Sequence, residues 1–103
     1  MTAVMTVLTA TIAPERAADL QAAYAAAAQG PFPAGLLRSS LLRHASDPTQ
    51  WRIETIWQSP EALAAMRQLG KPRGLQIFEA AGGQPSLTIF EIVADLAPPQ
   101  DGA

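Results

Sequence analysis

Histidine is the side chain whose charge most readily changes near neutral pH, and the chain contains one, His44. It stands at the end of a Leu-rich stretch, beside the turn ASDPTQ, and is the candidate acid or base. A solvated hairpin histidine would look the same. Arg38, Ser40 and His44 share one side of that stretch if it is extended, and three such groups could hold an anion. Alternation with a polar surface gives the same pattern. Arg52 and Glu54 also share a strand face, and read as a surface or interface charge pair rather than an acid–base device. Tyr24 brings a hydroxyl to an apolar helix face, where it can serve a pocket or stand at the rim of a core. Lys71 and Arg73, in GKPRG, could meet an anionic substrate at a mobile lid, or be an ordinary solvated loop. Trp51 and Trp57 lie six residues apart, so on one strand they project to the same side. There they could stack a planar ligand or plug a core.

Much chemistry is excluded. Cysteine is absent, so there are no disulfides or thiolate metal sites. One histidine makes no imidazole cluster, and no Gly-rich phosphate loop is present, so neither a metal nor a flavin is expected. The net charge is −2, and the seven Lys and Arg form no stripe, which argues against nucleic acid. The N-terminal stretch MTAVMTVLTATIAPERAAD lacks a basic leader, and Thr interrupts its apolar run at four places, so no signal peptide is expected. No apolar run approaches the ~18 residues of a membrane span. A cytoplasmic location is the default expectation.

These side chains need elements to position them. Val4–Ile12, rich in Val, Thr and Ile, suits a strand. Pro14 with Glu15 opens a helix whose Ala17, Leu20, Tyr24, Ala27 and Ala28 fall on one face, with Gly30 as its stop. Leu36–His44 and Trp51–Trp57 form a hairpin around Asp47-Pro48, with Trp51, Ile53, Thr55 and Trp57 on one face. Ser59 caps a second helix with Pro60 at its first position. That helix carries Leu63, Met66 and Leu69 and breaks at residues 70–74. A short helix over Leu75–Ala81 and a strand over Leu87–Ala94 follow. The pattern is β-α-β-β-α-β: an α+β domain over residues 1–96, with a loose tail at 97–103.

Two helices cover one face of a four-stranded antiparallel sheet, so the other face should be polar if it meets water. The strands do not alternate that cleanly. Val4, Leu8 and Ile12 oppose Met5 and Val7; Leu37 and Leu41 oppose Leu36 and Leu42; Leu87, Ile89 and Val93 oppose Phe90 and Ile92. With 49% hydrophobic and only 16% charged residues, the sequence predicts a homodimer joined through sheet faces.

With this layout the chain resembles the antibiotic biosynthesis monooxygenase family. The resemblance is carried by IETIWQSPEALAAM (residues 53–66) and by IFEAAGGQPSLTIFEIV, the short helix, Gly turn and final strand. It implies a ferredoxin-like subunit that pairs sheet to sheet as a dimeric α/β barrel. It also implies oxygenation of a phenolic, quinol or polyketide-like molecule without metal or flavin. The sequence departs from the family pattern at two places. Thr55 stands where a Glu is frequent before the strand's Trp, and Met66 where a His is frequent. In the haem-degrading branch the working residues are an Asn, a Trp and a His. Leu8, Met66 and Gln76 occupy those places here, so haem breakdown is not expected.

The pocket candidates are therefore Leu8, Tyr24, Trp57, Met66, Gln76 and Phe78, with His44 the candidate catalytic group. A second reading is a non-catalytic barrel that binds a small hydrophobic ligand or serves as an interaction module. A third is an isomerase or lactone-handling enzyme of the same barrel class. Polar residues in the cavity between helices and sheet would discriminate among them.

Overall fold

The β-branched run VMTVLTAT folds as β1 (Val4–Thr11), one of the two inner strands of the sheet. The computed structural model describes residues 2–99. After β1 come a single 3₁₀ turn (Pro14–Arg16), α1 (Ala17–Ala27), β2 (Leu36–Arg43) and β3 (Gln50–Trp57). The chain continues through α2 (Pro60–Gln68) and α3 (Arg73–Ala80) to β4 (Ser86–Glu91). Residues 97–99 carry no secondary structure, and the rest of the expected tail, 100–103, lies outside the described residues.

All strand pairs are antiparallel, in the order β2-β3-β1-β4, which is the ferredoxin-like arrangement. β1 pairs with β3 on one side and β4 on the other. β4 ends at Glu91, short of the expected Ala94, because Glu91 pairs with Val4, where β1 begins. One further bond, from the Ile92 N–H to the Ala3 carbonyl at 2.9 Å, closes that edge.

The helices behave as their termini dictate. Ser59 Oγ accepts the Ala62 N–H at 3.1 Å, capping α2, and Pro60 occupies the position where a missing N–H costs nothing. α3 starts at Arg73, two residues before Leu75, because Pro72 stands outside the helix as its N-cap and interrupts nothing. Gly74 lies within α3's first turn, where a Cβ would stand 2.7 Å from Leu8 Cδ1. A larger residue there would force the Leu8 side chain to shift.

The helix-facing side of the sheet presents Val4, Thr6, Leu8 and Ala10 from β1 and Trp51, Ile53, Thr55 and Trp57 from β3. It is packed unevenly. At the Trp51 end, Ile12, Leu20, Ile77, Phe78 and Ala81 close a continuous core in which Leu20 and Phe78 are wholly buried. At the Trp57 end, only Val4, Trp57 and Leu63 form a small buried group, with Leu36 and Met66 packed against it. Each fully buried large apolar side chain contributes about 1.5–3 kcal/mol, so the Trp51 end carries most of the burial energy.

β2 departs from the expected alternation. A bulge between Leu36 and Arg38 makes Leu37 the inserted residue, and places Leu36 opposite Trp57 and Leu41 opposite Ile53. Leu36 and Leu41 therefore face the helices together, instead of opposing one another, and Leu37 is exposed. The opposite sheet face carries Met5, Val7, Ile56, Leu42 and Phe90 among Thr9, Ser40, Arg52, Glu54 and Thr88. No helix covers it, and Phe90 is 52% exposed. Among the described residues no helix is long and apolar enough to cross a membrane.

Candidate functional site

Because the core is incomplete at the Trp57 end, the helices and the sheet enclose a cavity of about 930 Å³ there. That is room for a ligand of drug-like size. Its floor is the sheet: Thr6 and Leu8 of β1, and Ile53, Thr55 and Trp57 of β3. Leu63 and Met66 of α2 form one wall, and Tyr24 and Ala27 of α1 with Ile77 of α3 form the other. The segments before β2 and between α2 and α3 make the mouth, with Phe32 and Leu69 both largely exposed.

Two hydrogen-bonded groups sit on this floor. The Trp57 Nε1–H donates to Thr6 Oγ1 at 3.2 Å, which fixes the indole as a flat apolar panel. The Tyr24 hydroxyl donates to Ser39 Oγ at 2.8 Å, and the Thr55 hydroxyl donates to the same oxygen at 3.3 Å. Two accepted bonds use both Ser39 lone pairs and leave its own O–H as a donor. Tyr24, Ser39 and Thr55 all line the cavity.

The charges at the mouth are of one sign. Arg38 stands at the β2 bulge, Arg67 in the last turn of α2, Lys71 in the connecting loop and Arg73 at the start of α3. Lys71 Nζ pairs with Glu79 Oε1 at 2.6 Å, and Gln76 Nε2 donates to the Lys71 carbonyl at 3.3 Å, tethering the loop to α3. No Asp, Glu or His belongs to the lining. Among the described residues no cluster of potential metal ligands occurs.

Of the residues singled out in the sequence, Leu8, Tyr24, Trp57, Met66 and Gln76 come together around this cavity. Phe78 does not: it is wholly buried in the core at the Trp51 end, away from the Trp57 group it was expected to join. His44 also stands apart, exposed on the β2–β3 hairpin, where its Nδ1 accepts the N–H groups of Ser46 (3.0 Å) and Asp47 (3.1 Å). It caps a turn that contributes nothing to the cavity wall. In the same turn the Thr49 hydroxyl and then the Thr49 N–H donate to Asp47, holding its carboxyl below the ordinary carboxylate range. Arg52 and Glu54 are joined at 3.2 Å on the uncovered sheet face. Trp51 lies in the closed core with its Nε1–H unpartnered and the Arg43 guanidinium 5.5 Å from its ring.

Sequence reasoning missed Ser39, Thr55 and Arg67. A signal existed for Thr55, a hydroxyl placed between Ile53 and Trp57 on an otherwise apolar strand face. Ser39 and Arg67 carried none, since the bulge that orients β2 and the loop that seats α2 leave no local pattern.

Fold and cavity together define a ferredoxin-like domain with a ligand-sized space between its sheet and its helices. The chain matches the antibiotic biosynthesis monooxygenase family over residues 3–71, and belongs to it. Solved structures agree on the fold. SnoaB, a cofactor-independent oxygenase from Streptomyces nogalater, is 23% identical, with 97% of this chain and 100% of that one covered at a TM-score of 0.61. The haem degrader MhuD from Mycobacterium tuberculosis, solved with two haems in its active site, is 24% identical, covering 91% and 99% at a TM-score of 0.68. A conserved protein from Methanosarcina mazei is 13% identical, covering 87% and 92% at a TM-score of 0.70. Among curated proteins, none matches the chain by sequence.

Proposed function

We propose that the protein is a cofactor-independent monooxygenase acting on a phenolic, quinol or polyketide-like small molecule held in the cavity beside Trp57. The observation that carries this reading is a cavity with apolar walls and a hydroxyl cluster on its floor, in a chain of this family. An electron-rich phenol reduces dioxygen by itself once it is an anion, so the protein need only bind it, dry it and stabilise that anion. The Ser39 O–H is the donor for the phenolate in this scheme, with Tyr24 and Thr55 holding its oxygen in place. Trp57, Leu8 and Met66 supply apolar contact to the ring system, and Gln76 holds the loop at the mouth. No carboxylate or imidazole lines the site, so the substrate proton leaves to water and not to a dedicated base. His44 has no part in this scheme. For an anthrone, one oxygen atom enters as the new carbonyl while the ring carbon loses its two hydrogens, and the other oxygen leaves as water.

Oxygen uptake with chelator-treated protein on a panel of hydroquinones and anthrones is the test. Saturable uptake, with one labelled oxygen atom in the product, is the expected result. Ligand binding without uptake anywhere on the panel would replace this reading by the non-catalytic binder, which the lack of a base also favours. Haem is outside the proposed substrate class, because Leu8, Met66 and Gln76 all line the cavity and none of them is an Asn, Trp or His.

The protein is further proposed to act as a homodimer through its uncovered sheet face. Met5, Ile56, Leu42 and Phe90 form an apolar group there with no helix above it. Light scattering on eluted protein should give twice the 10.9 kDa of the chain. A monomer mass at micromolar concentration would sink the idea.

A further inference from the structure

The charge around the cavity runs against the charge of the chain. The protein is net negative, yet four of its seven basic residues, Arg38, Arg67, Lys71 and Arg73, line this one space, and no Asp or Glu does. The remaining three are engaged elsewhere. Arg16 binds Asp19 and the Ala80 carbonyl, Arg52 binds Glu54, and Arg43 lies over Trp51. Of the four at the cavity, only Lys71 has an ion pair among the described residues.

Local structure does not account for this gathering. Arg67 in the last turn of α2 suits the helix dipole, but Arg73 opens α3, where a cation is disfavoured. That N-terminus has neither a side-chain cap nor an acidic residue in its first turn. Arg38 touches the edge of the cavity, but the bulge in β2 sets it opposite Ile56, on the sheet face turned away from the helices. Two helices thus bring unpaired arginines to the rim of an apolar cavity, where low-dielectric walls concentrate their field.

We propose that the natural ligand carries an acidic group, a carboxylate or a comparable oxyanion, on its planar apolar body, and that Arg67 and Arg73 hold that group at the mouth. This rests on the reading that an aromatic body occupies the cavity. It adds which member of that class is accepted and which way round it enters. The guanidinium fork pairs two N–H donors with a carboxylate, so the acidic end stays outward while the ring system lies against Trp57.

The probes are anthraquinone carboxylate and its methyl ester, titrated by calorimetry into the full chain at low and at high salt. The acid should bind at least about tenfold more tightly than the ester at low salt, and high salt should shrink the ratio. In Arg67→Gln/Arg73→Gln protein, checked for native circular dichroism, the ratio should fall toward one. Equal binding of acid and ester by the unaltered protein would overturn the acidic-ligand proposal and leave the aromatic cavity standing. A ratio that survives both salt and the double substitution would remove the arginines from recognition and overturn it too. Binding of neither compound would remove the aromatic cavity itself, and the proposal with it.

Discussion

Trp51 and Trp57 share one face of one strand, yet their surroundings are opposite. Trp51 is sealed into a core with Leu20 and Phe78, and its Nε1–H has no partner. Trp57 is equally buried, but it borders a cavity and its Nε1–H is satisfied by Thr6. The contrast teaches that stability and ligand space are kept at opposite ends of the same sheet. Close approach makes the packed end: a Cβ on Gly83 would come within 2.7 Å of Ile12 Cδ1 and 3.3 Å of Ala10 Cβ, so the turn after α3 settles on the end of β1. At the other end α2 stands over Trp57 through Leu63 and Met66, and the space beyond is left unfilled.

The largest test of this contrast compares one side chain from each end. Phe78→Ala should cost about 3–5 kcal/mol of stability, because it opens a void in a closed core. Met66→Ala, at the edge of a space already open, should cost less than about 1 kcal/mol while weakening ligand binding. Urea unfolding of both variants measures it. Equal losses would mean that the two ends are packed alike.

The two tryptophans give a finer test. Trp57→Phe breaks a buried hydrogen bond and strands the Thr6 hydroxyl, at a cost of about 1–2 kcal/mol. Trp51→Phe removes a donor that had no partner, so relief of that penalty should offset much of the lost volume. Denaturation midpoints should rank Trp57→Phe as the more damaging change. Quenching of tryptophan emission by a quinone should also fall in Trp57→Phe and persist in Trp51→Phe. The reverse order in either measurement would exchange the roles of the two ends.

The smallest effect lies in the hairpin, at neither end. The Thr49 donors favour the charged form of Asp47, so its carboxyl titrates below 3.8 in the folded protein. The stability this adds is present above that ordinary value and is lost as pH falls through the lower folded one. Asp47→Asn should therefore be slightly less stable than wild type at neutral pH, and the gap should close in acid. Urea midpoints across that range would show it, and a gap that widened in acid would reverse the assignment.

Where local chemistry decides an element, the sequence already displays it. Ser59-Pro60 marks the start of α2, and the alternation from Trp51 to Trp57 marks β3 and its buried face. Tyr24 and Trp57 were legible because helix spacing and strand parity fix the side on which a residue lies, whereas Leu8, Met66 and Gln76 were named from the family resemblance; all five line the cavity. What escaped depends on distant contacts. GKPRG reads as a break, and only the neighbouring Leu8 explains why Gly74 belongs inside a helix. Phe78 was expected beside Trp57, but how far α3 lies along the sheet is not written in its own residues. The bulge at Leu37 leaves Arg38 and Ser40 on one side, as expected, but turns that side away from the helices and gives Ser39 to the cavity. Basic residues that look scattered in the sequence came to one cavity only when α2, α3 and the loop between them folded over the sheet.

The place of β1 in the sheet bears on the birth of the protein. Of the strands in this sheet, β1 is made before the others yet ends in an inner position, and its partner β3 comes much later. Thr11 and Gln50, at the near ends of the two strands, are separated by 39 residues. At about 5–20 residues per second, β1 waits roughly 2 to 8 seconds before that partner is even made. For that interval Val4, Val7 and Leu8 have no sheet to join. The threonines spaced among them, which later serve as Trp57's partner at Thr6 and as sheet surface at Thr9, also make the waiting segment less adhesive. The same residues thus guard the chain in its infancy and furnish the finished sheet.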